Sequence, residues 1–151
     1  PETLPPPLRA YLADLFSITG RWMGLGHYDV LVQVEDRQPE DAEGPLEAVL
    51  FSVESDPSYQ WARMTVFPAV REWWDGGDCE TLVRSAIHEW VHVLLEPVVA
   101  DAWAATPPVG EAALRAKVEA VVETVAKVVF AGFPRRGAAA KLFRKEAYGR
   151  G

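Results

Sequence analysis

The sequence predicts an α+β fold in one domain, with a small, mostly antiparallel sheet packed on one helix and a second long helix after it. Short segments of alternating apolar and polar residues occupy the first half of the chain, and helical spacing of apolar residues dominates the second half. The chain has 151 residues, 49% of them hydrophobic, which is enough for one core. We therefore treat residues 1–151 as a single compact domain.

The first element is predicted to be an amphipathic helix. Apolar residues recur at intervals of three and four over residues 7–17, directly after a proline cluster of the kind that starts helices. We expect Thr19 and Gly20 to end this helix. His27, which precedes the next element, is expected to lie in a surface turn.

Three strands are predicted next. Strand periodicity is present over residues 28–35, 46–54 and 59–67. An acidic loop over 37–45 and a turn over 55–58 connect them, and such connections favour antiparallel pairing. Pro68 is expected to end the third strand, and residues 72–78 are expected to form a linker.

A helix predicted over residues 81–95 carries the sequence His88-Glu89-Trp90-Val91-His92. Asp78 is a suitable N-cap, and Pro97 is expected to end the helix. Side chains four residues apart project from one helix face, so both imidazoles can bind one zinc ion. Glu89 can then act on a water at the ion without being a ligand. The alternative is a packed helix whose histidines bond to carbonyl or carboxylate groups.

The longest helical pattern runs over residues 110–131 and offers carboxylates for a third ligand. A catalytic zinc ion usually has three protein ligands. Glu119 falls about 110° from the centre of the apolar stripe and Glu123 about 150°, so Glu119 is better placed to reach a neighbouring helix. The alternative is that both are solvated. His27 is a poor candidate, and Cys79 is expected to be a small buried or idle thiol.

The net charge of −7 is unevenly distributed along the chain. From Arg135 onward six basic residues stand against Glu146, so this segment carries +5 and the remainder −12. The acidic body argues against nucleic acid as the main partner. The basic tail, with a short helix over 138–148, is expected to be solvated and partly mobile; the alternatives are docking on the body or holding a polyanion.

Neither a membrane span nor a secretory signal is expected. No run of eighteen apolar residues occurs, and the proline-rich start lacks the basic and apolar segments of a signal peptide. One cysteine cannot form an internal disulfide, which fits a reducing compartment. We expect a cytoplasmic protein.

The H-E-x-x-H pattern at His88, followed on a later helix by Glu119 and Glu123, resembles the gluzincin zinc metallopeptidases. The short chain resembles above all the minimal gluzincins and the small H-E-x-x-H proteins of phages and mobile elements. The resemblance implies zinc as the cofactor, with His88, His92 and Glu119 as ligands. It implies Glu89 as the catalytic general base and Glu123 as support for a histidine ligand. The family more often has Asp at the last place, and the longer Glu123 leaves the two carboxylate roles open to exchange.

The resemblance covers about residues 59–129 and implies a zincin-like fold that hydrolyses bonds in a peptide or protein substrate. An edge strand before the motif helix would hold the substrate, and residues 59–67 are the candidate, with a fully paired strand as the alternative. Neither Tyr148 nor Arg144 is assigned as an oxyanion donor. Two other functions remain open, namely a non-catalytic zinc-stabilised binding module and a regulatory protease acting on a repressor-like protein.

Overall fold

The computed structural model of the protein describes residues 3–39 and 49–149. Within these ranges the fold is α+β, as predicted. None of the described helices has the length and apolarity needed to cross a membrane. The regular elements, in chain order, are α1 (Pro6–Trp22), β1 (Asp29–Val34), β2 (Phe51–Asp56), β3 (Trp61–Val66), α2 (Ala69–Asp75), α3 (Cys79–Ala105), α4 (Glu111–Gly132) and two 3-10 helices at the end (Gly137–Phe143 and Lys145–Tyr148).

The three strands form a mixed sheet in the order β1-β3-β2. A turn over residues 57–60 joins β2 and β3 as an antiparallel hairpin, whereas β1 pairs with β3 in parallel on the other side. The prediction of a mostly antiparallel sheet is therefore wrong, because β1 and β3 run in the same direction. Most of the predicted loop 37–45 and the start of the predicted strand 46–54 lie outside the described residues.

The central position of β3 corrects the assignment of the substrate-binding edge. Residues 59–67 were the candidate edge strand, but β3 has a hydrogen-bonded partner on both sides. Its backbone groups are therefore already used by the sheet. The edge strand next to α3 is β2, which packs closely against that helix.

Helix α1 continues past the glycine that was expected to end it. The Thr19 hydroxyl donates to the carbonyl of Leu15 (2.6 Å), and Gly20 remains helical with the indole of Trp90 packed directly against it. The same indole donates from Nε1 to the carbonyl of Phe16 (3.1 Å). The prediction was wrong because Gly20 lacks a side chain in order to let Trp90 pack closely against α1, and not in order to form a turn.

Helix α3 begins as predicted and ends later than predicted. Asp78 caps it by accepting from the Thr81 amide (3.0 Å) and hydroxyl (2.9 Å). Pro97 lies inside the helix, which runs on to Ala105. A proline removes one backbone hydrogen bond, and here the remaining turns are sufficient to carry the helix past it. The predicted linker 72–78 is also corrected, because most of it belongs to α2.

Helix α4 agrees with its predicted range to within one residue. It packs mainly on α3, and only Val122 and Ala126 on it are fully buried. Val121 and Val128, by contrast, are largely exposed. The attachment of α4 to the rest of the protein therefore depends on a narrow apolar strip.

The basic tail packs on α1, so the prediction of a solvated, partly mobile end is wrong. The hydroxyl of Tyr148 donates to Asp14 Oδ2 (2.8 Å), and Lys141 Nζ lies 2.7 Å from the same oxygen. Burial acts to raise the pKa of Asp14, but these two partners outweigh it and lower that pKa. Tyr11 donates to the carbonyl of the fully buried Leu142 (2.9 Å). The charge of the tail alone predicted that it would be solvated. Its apolar residues and the carboxylate of Asp14 instead favour packing of the tail on α1.

Replacing Gly20 with alanine tests the packing between α1 and α3. A Cβ atom at Gly20 would lie 2.6 Å from Trp90 Cζ2, so the helices must separate. We expect Gly20→Ala to lower the free energy of unfolding by about 1–3 kcal/mol, measured by urea denaturation. Gly132→Ala is the matched control, since its Cβ would meet nothing closer than 3.9 Å. Equal stability of the two variants would contradict this account.

Candidate metal centre

The orientation of the motif histidines follows from the packing of Trp90. Trp90 lies about 180° around α3 from the midpoint between His88 and His92. Because its indole is buried against α1, the two imidazoles are directed to the opposite side, toward β2 and α4. The side chains of His88 and His92 are 24% and 25% exposed, so both rings border the solvent.

The carboxylate of Glu119 reaches both imidazoles. Its Oε1 lies 3.2 Å from His92 Nε2, and its Oε2 lies 3.6 Å from His88 Nε2. One ligand atom from each of the three residues lies within 4.8 Å of the others. The structure thus brings together the three residues that were predicted to bind the metal.

Glu123 contacts the other nitrogen of the first histidine. Its Oε2 lies 3.2 Å from His88 Nδ1, on the ring edge that faces away from the Nε2 contact with Glu119. A carboxylate at Nδ1 fixes the tautomer and the orientation of an imidazole whose Nε2 binds a metal. The two glutamates therefore occupy the two different positions that the resemblance implies for them.

The charges of the cluster are strongly coupled. Hydrogen bonds from both histidines hold the pKa of Glu119 well below its usual range. Burial acts to lower the pKa of His88, but Glu119 and the neighbouring carboxylates outweigh it and raise that pKa. Burial raises the pKa of Glu89 to about 7. Three carboxylates thus share a small volume with two imidazoles, an arrangement that a cation stabilises.

The donor set is of a kind that binds zinc. Two imidazole nitrogens and one carboxylate oxygen form a ligand set found in catalytic zinc sites. Two ligand atoms at 2.0–2.1 Å from a tetrahedral ion are about 3.3 Å apart. In the structure, one ligand atom from each of the three residues lies within 4.8 Å of the others, while the 3.2 and 3.6 Å contacts of the histidines involve different oxygens of Glu119.

A cleft between β2 and the two long helices passes over this cluster. On one side a cavity of about 550 Å³ is bordered by β2, His92 and Glu96. On the other side a cavity of about 290 Å³ is bordered by Arg84, Lys127 and the residues just before β2. His88 and Glu89 line both cavities, so the candidate site lies in the middle of one groove.

Sequence reasoning missed Glu96 and Lys127 as groove residues. Glu96 follows His92 by four residues and Lys127 follows Glu123 by four, so helical spacing alone places them on the same faces. The position of β2 at the edge of the sheet, next to the groove, could not be predicted in the same way. Strand order depends on pairing between distant segments of the chain, which local sequence patterns do not show.

The remaining candidate residues lie outside the groove. Tyr148 bonds to Asp14 on α1, and Arg144 borders neither cavity. His27 is exposed in a turn and Cys79 is buried at the start of α3, as predicted. A further hollow of about 530 Å³ between α1 and β1 contains none of the predicted site residues.

The two glutamates can be distinguished by metal affinity. We expect Glu119→Gln to weaken zinc binding by more than 100-fold, because it removes a charged ligand, and Glu123→Gln by about 10–100-fold, because it removes support for His88. Competition with a chromogenic chelator measures both constants. The reverse ranking would show that Glu123 is the ligand.

Comparisons with known proteins add no family assignment. No protein-family model matches the chain, and neither a curated protein nor a solved structure matches it significantly. The resemblance to the gluzincins therefore depends on the motif residues alone.

Proposed function

We propose that the protein is a zinc-dependent metallopeptidase. The observation that carries this proposal is the convergence of His88, His92 and Glu119 on one point in an open groove, with Glu89 beside them. This combination supports the proposal because a peptidase of this kind needs three metal ligands, access for a substrate and a general base at one site. Carboxylate partners alone would also satisfy the histidines of a packed helix, so the open groove and the adjacent Glu89 are the features that favour a catalytic site.

The residues divide the work of hydrolysis among them. When bound, a zinc ion polarises the scissile carbonyl and makes water a better nucleophile near neutral pH. Glu123 holds the ring of His88 through Nδ1, so that Nε2 keeps its direction. The Glu89 carboxylate takes the proton of the attacking water and delivers it to the leaving amine.

The outer edge of β2 is the surface on which a peptide substrate would lie. In the described chain β2 pairs only with β3, so the backbone groups on its other side face the groove. An extended peptide can add to such an edge as a further strand, with main-chain hydrogen bonds providing affinity. The groove extends to both sides of the candidate site, which suits cleavage within a chain.

Replacing Glu89 with glutamine separates catalysis from metal binding. We expect Glu89→Gln to retain about one zinc ion per chain and to lose at least 100-fold in the rate of casein hydrolysis, because the amide cannot accept the proton. Metal content by mass spectrometry and release of soluble peptides are the measurements.

Glu111→Gln, on the exposed start of α4, is the matched control and should cleave like the wild type. Equal cleavage by Glu89→Gln and the wild type would remove the catalytic proposal.

A non-catalytic, zinc-stabilised module is the second candidate, and the weak apolar attachment of α4 favours it. Few residues of α4 are buried, yet Glu119 and Glu123 on this helix both contact α3 through the histidines. A metal ion bound there would fasten α4 to α3. This role can exist with or without hydrolysis.

Metal removal measures this structural contribution. A ligand present at 1,000 times its Kd stabilises a fold by about 4.1 kcal/mol. We expect chelation to lower the melting temperature and to increase hydrogen exchange in α4 more than in α1, whose core contacts do not involve the site. Strong stabilisation by zinc without any cleavage by the wild type would favour the module, whereas unchanged exchange in α4 would exclude it.

A further inference from the structure

The groove that crosses the candidate site has ends of opposite charge. At one end, Glu54 and Glu96 border the cavity beyond His92. At the other end, Arg84 and Lys127 border the cavity before His88. The protein carries a net charge of −7, so a basic patch at one end of this groove does not follow from composition.

Within the described part of the chain, one charged residue at each end of the groove has no salt bridge. Glu54 forms a salt bridge with Arg63, and Arg84 shares Glu80 with Arg135 at 3.5 and 3.4 Å. Because two arginines share one glutamate, Glu80 does not neutralise both of their charges.

Among the residues that the structure describes, neither Glu96 nor Lys127 has a salt bridge. Glu96 is half-buried, four residues after His92 on the same face of α3. Lys127 continues the α4 face that carries Glu119 and Glu123. Over residues 3–39 and 49–149, each end therefore presents a charged side chain that has no salt-bridge partner.

The distance between the two ends corresponds to a short stretch of extended peptide. Arg84 and Glu96 are twelve residues apart on α3, which is about 18 Å at 1.5 Å per residue. An extended strand covers this distance with about five residues. His88 and His92 lie midway, so each end is two or three peptide residues from the candidate metal centre.

The direction of β2 orients the peptide. Leu50, just before β2, borders only the cavity at the basic end, and Ser55 near the end of β2 borders only the cavity at the acidic end. Antiparallel pairing is the more stable arrangement per residue. A substrate antiparallel to β2 places its N-terminal half at the acidic end and its C-terminal half at the basic end.

We propose that the groove selects extended peptides with a cationic side chain two or three residues before the cleaved bond and an anionic side chain two or three residues after it. Glu96 binds the cation and Lys127, supported by Arg84, binds the anion. This inference rests on the proposed peptidase function for the position of the cleaved bond. The charge pattern itself is a property of the groove.

Two peptides of identical composition test the proposal. Both have an alanine–leucine host with blocked ends and carry one arginine and one aspartate five positions apart. The matched peptide has arginine first, and the swapped peptide has aspartate first. Because their net charges are equal, the overall charge of the protein affects both alike.

Binding is measured by fluorescence anisotropy with zinc-loaded Glu89→Gln protein, and kcat/KM with zinc-loaded wild type. We expect the matched peptide to bind and to be cleaved about five- to ten-fold better, as expected for two exposed ion pairs.

Charge reversal supplies the decisive comparison. The double variant Glu96→Lys, Lys127→Glu should prefer the swapped peptide, whereas the control Glu111→Lys, Lys117→Glu, on exposed positions of α4, should keep the wild-type preference. Lys127→Glu alone should lose most of the preference, and its exposed position leaves the core intact. The two double variants leave the net charge of the protein unchanged, whereas the single Lys127→Glu variant makes it more negative.

The outcomes separate this inference from the peptidase proposal. Equal binding of both peptides, binding of neither, or an unchanged preference after charge reversal would overturn the charge selection, even if the wild type cleaves casein. A charge-dependent preference in binding, with no cleavage by zinc-loaded wild type, would uphold the selective groove and overturn the peptidase.

Discussion

The contact between Trp90 and α1 is the constraint on which the candidate site depends. The indole fills the space above Gly20 and donates to the carbonyl of Phe16, so α3 cannot rotate about its axis without losing a buried hydrogen bond. Since the motif histidines lie on the opposite side of the helix, this one contact determines where they point. The large residue inside the H-E-x-x-H sequence thus positions the polar ones.

The directions of three elements then shape the groove. β2 and α3 run in the same direction along the groove. α4 is antiparallel to α3, as two contacts show: Glu119 contacts His92, and Arg84 lies over the Phe130 ring (4.9 Å). Every fourth residue of either helix therefore adds one more position along the same groove. The candidate metal ligands, Glu123 beside His88 and the charged residues at the ends of the groove belong to two such series, one on each helix.

Local patterns allowed the site itself to be predicted. The pair of histidines, Glu89 and the cap at Asp78 depend on spacing within one helix, and Glu119 was chosen from its angle on another, so each was accessible from helical periodicity. The structure brings His88, His92 and Glu119 together, with Glu89 in the same groove, and Asp78 caps α3 as predicted.

Features that depend on distant parts of the chain were predicted wrongly. The role of β2 as the edge depends on β1 pairing beyond β3, which no local signal encodes. Glycine and proline are common at helix ends, but both Gly20 and Pro97 lie inside helices. Gly20 makes room for the indole of Trp90, and α3 continues past Pro97 to Ala105. The tail was predicted to be solvated because it is basic. In the structure it packs on α1 through the Tyr11–Leu142 hydrogen bond and the Lys141–Asp14 salt bridge.

The small domain has few elements around the groove that could form deep side-chain pockets for a substrate. Its groove has one strand as one wall and two helices as the other, so main-chain pairing along β2 would hold almost any extended peptide with similar strength. Such pairing is indifferent to side chains, and it is nearly indifferent to position along the strand. Opposite charges at the two ends of the groove can determine the direction in which a peptide binds. The distance between these charges can determine its register along β2. Selectivity of this kind needs no additional core, since it uses surface positions that the two helices already present.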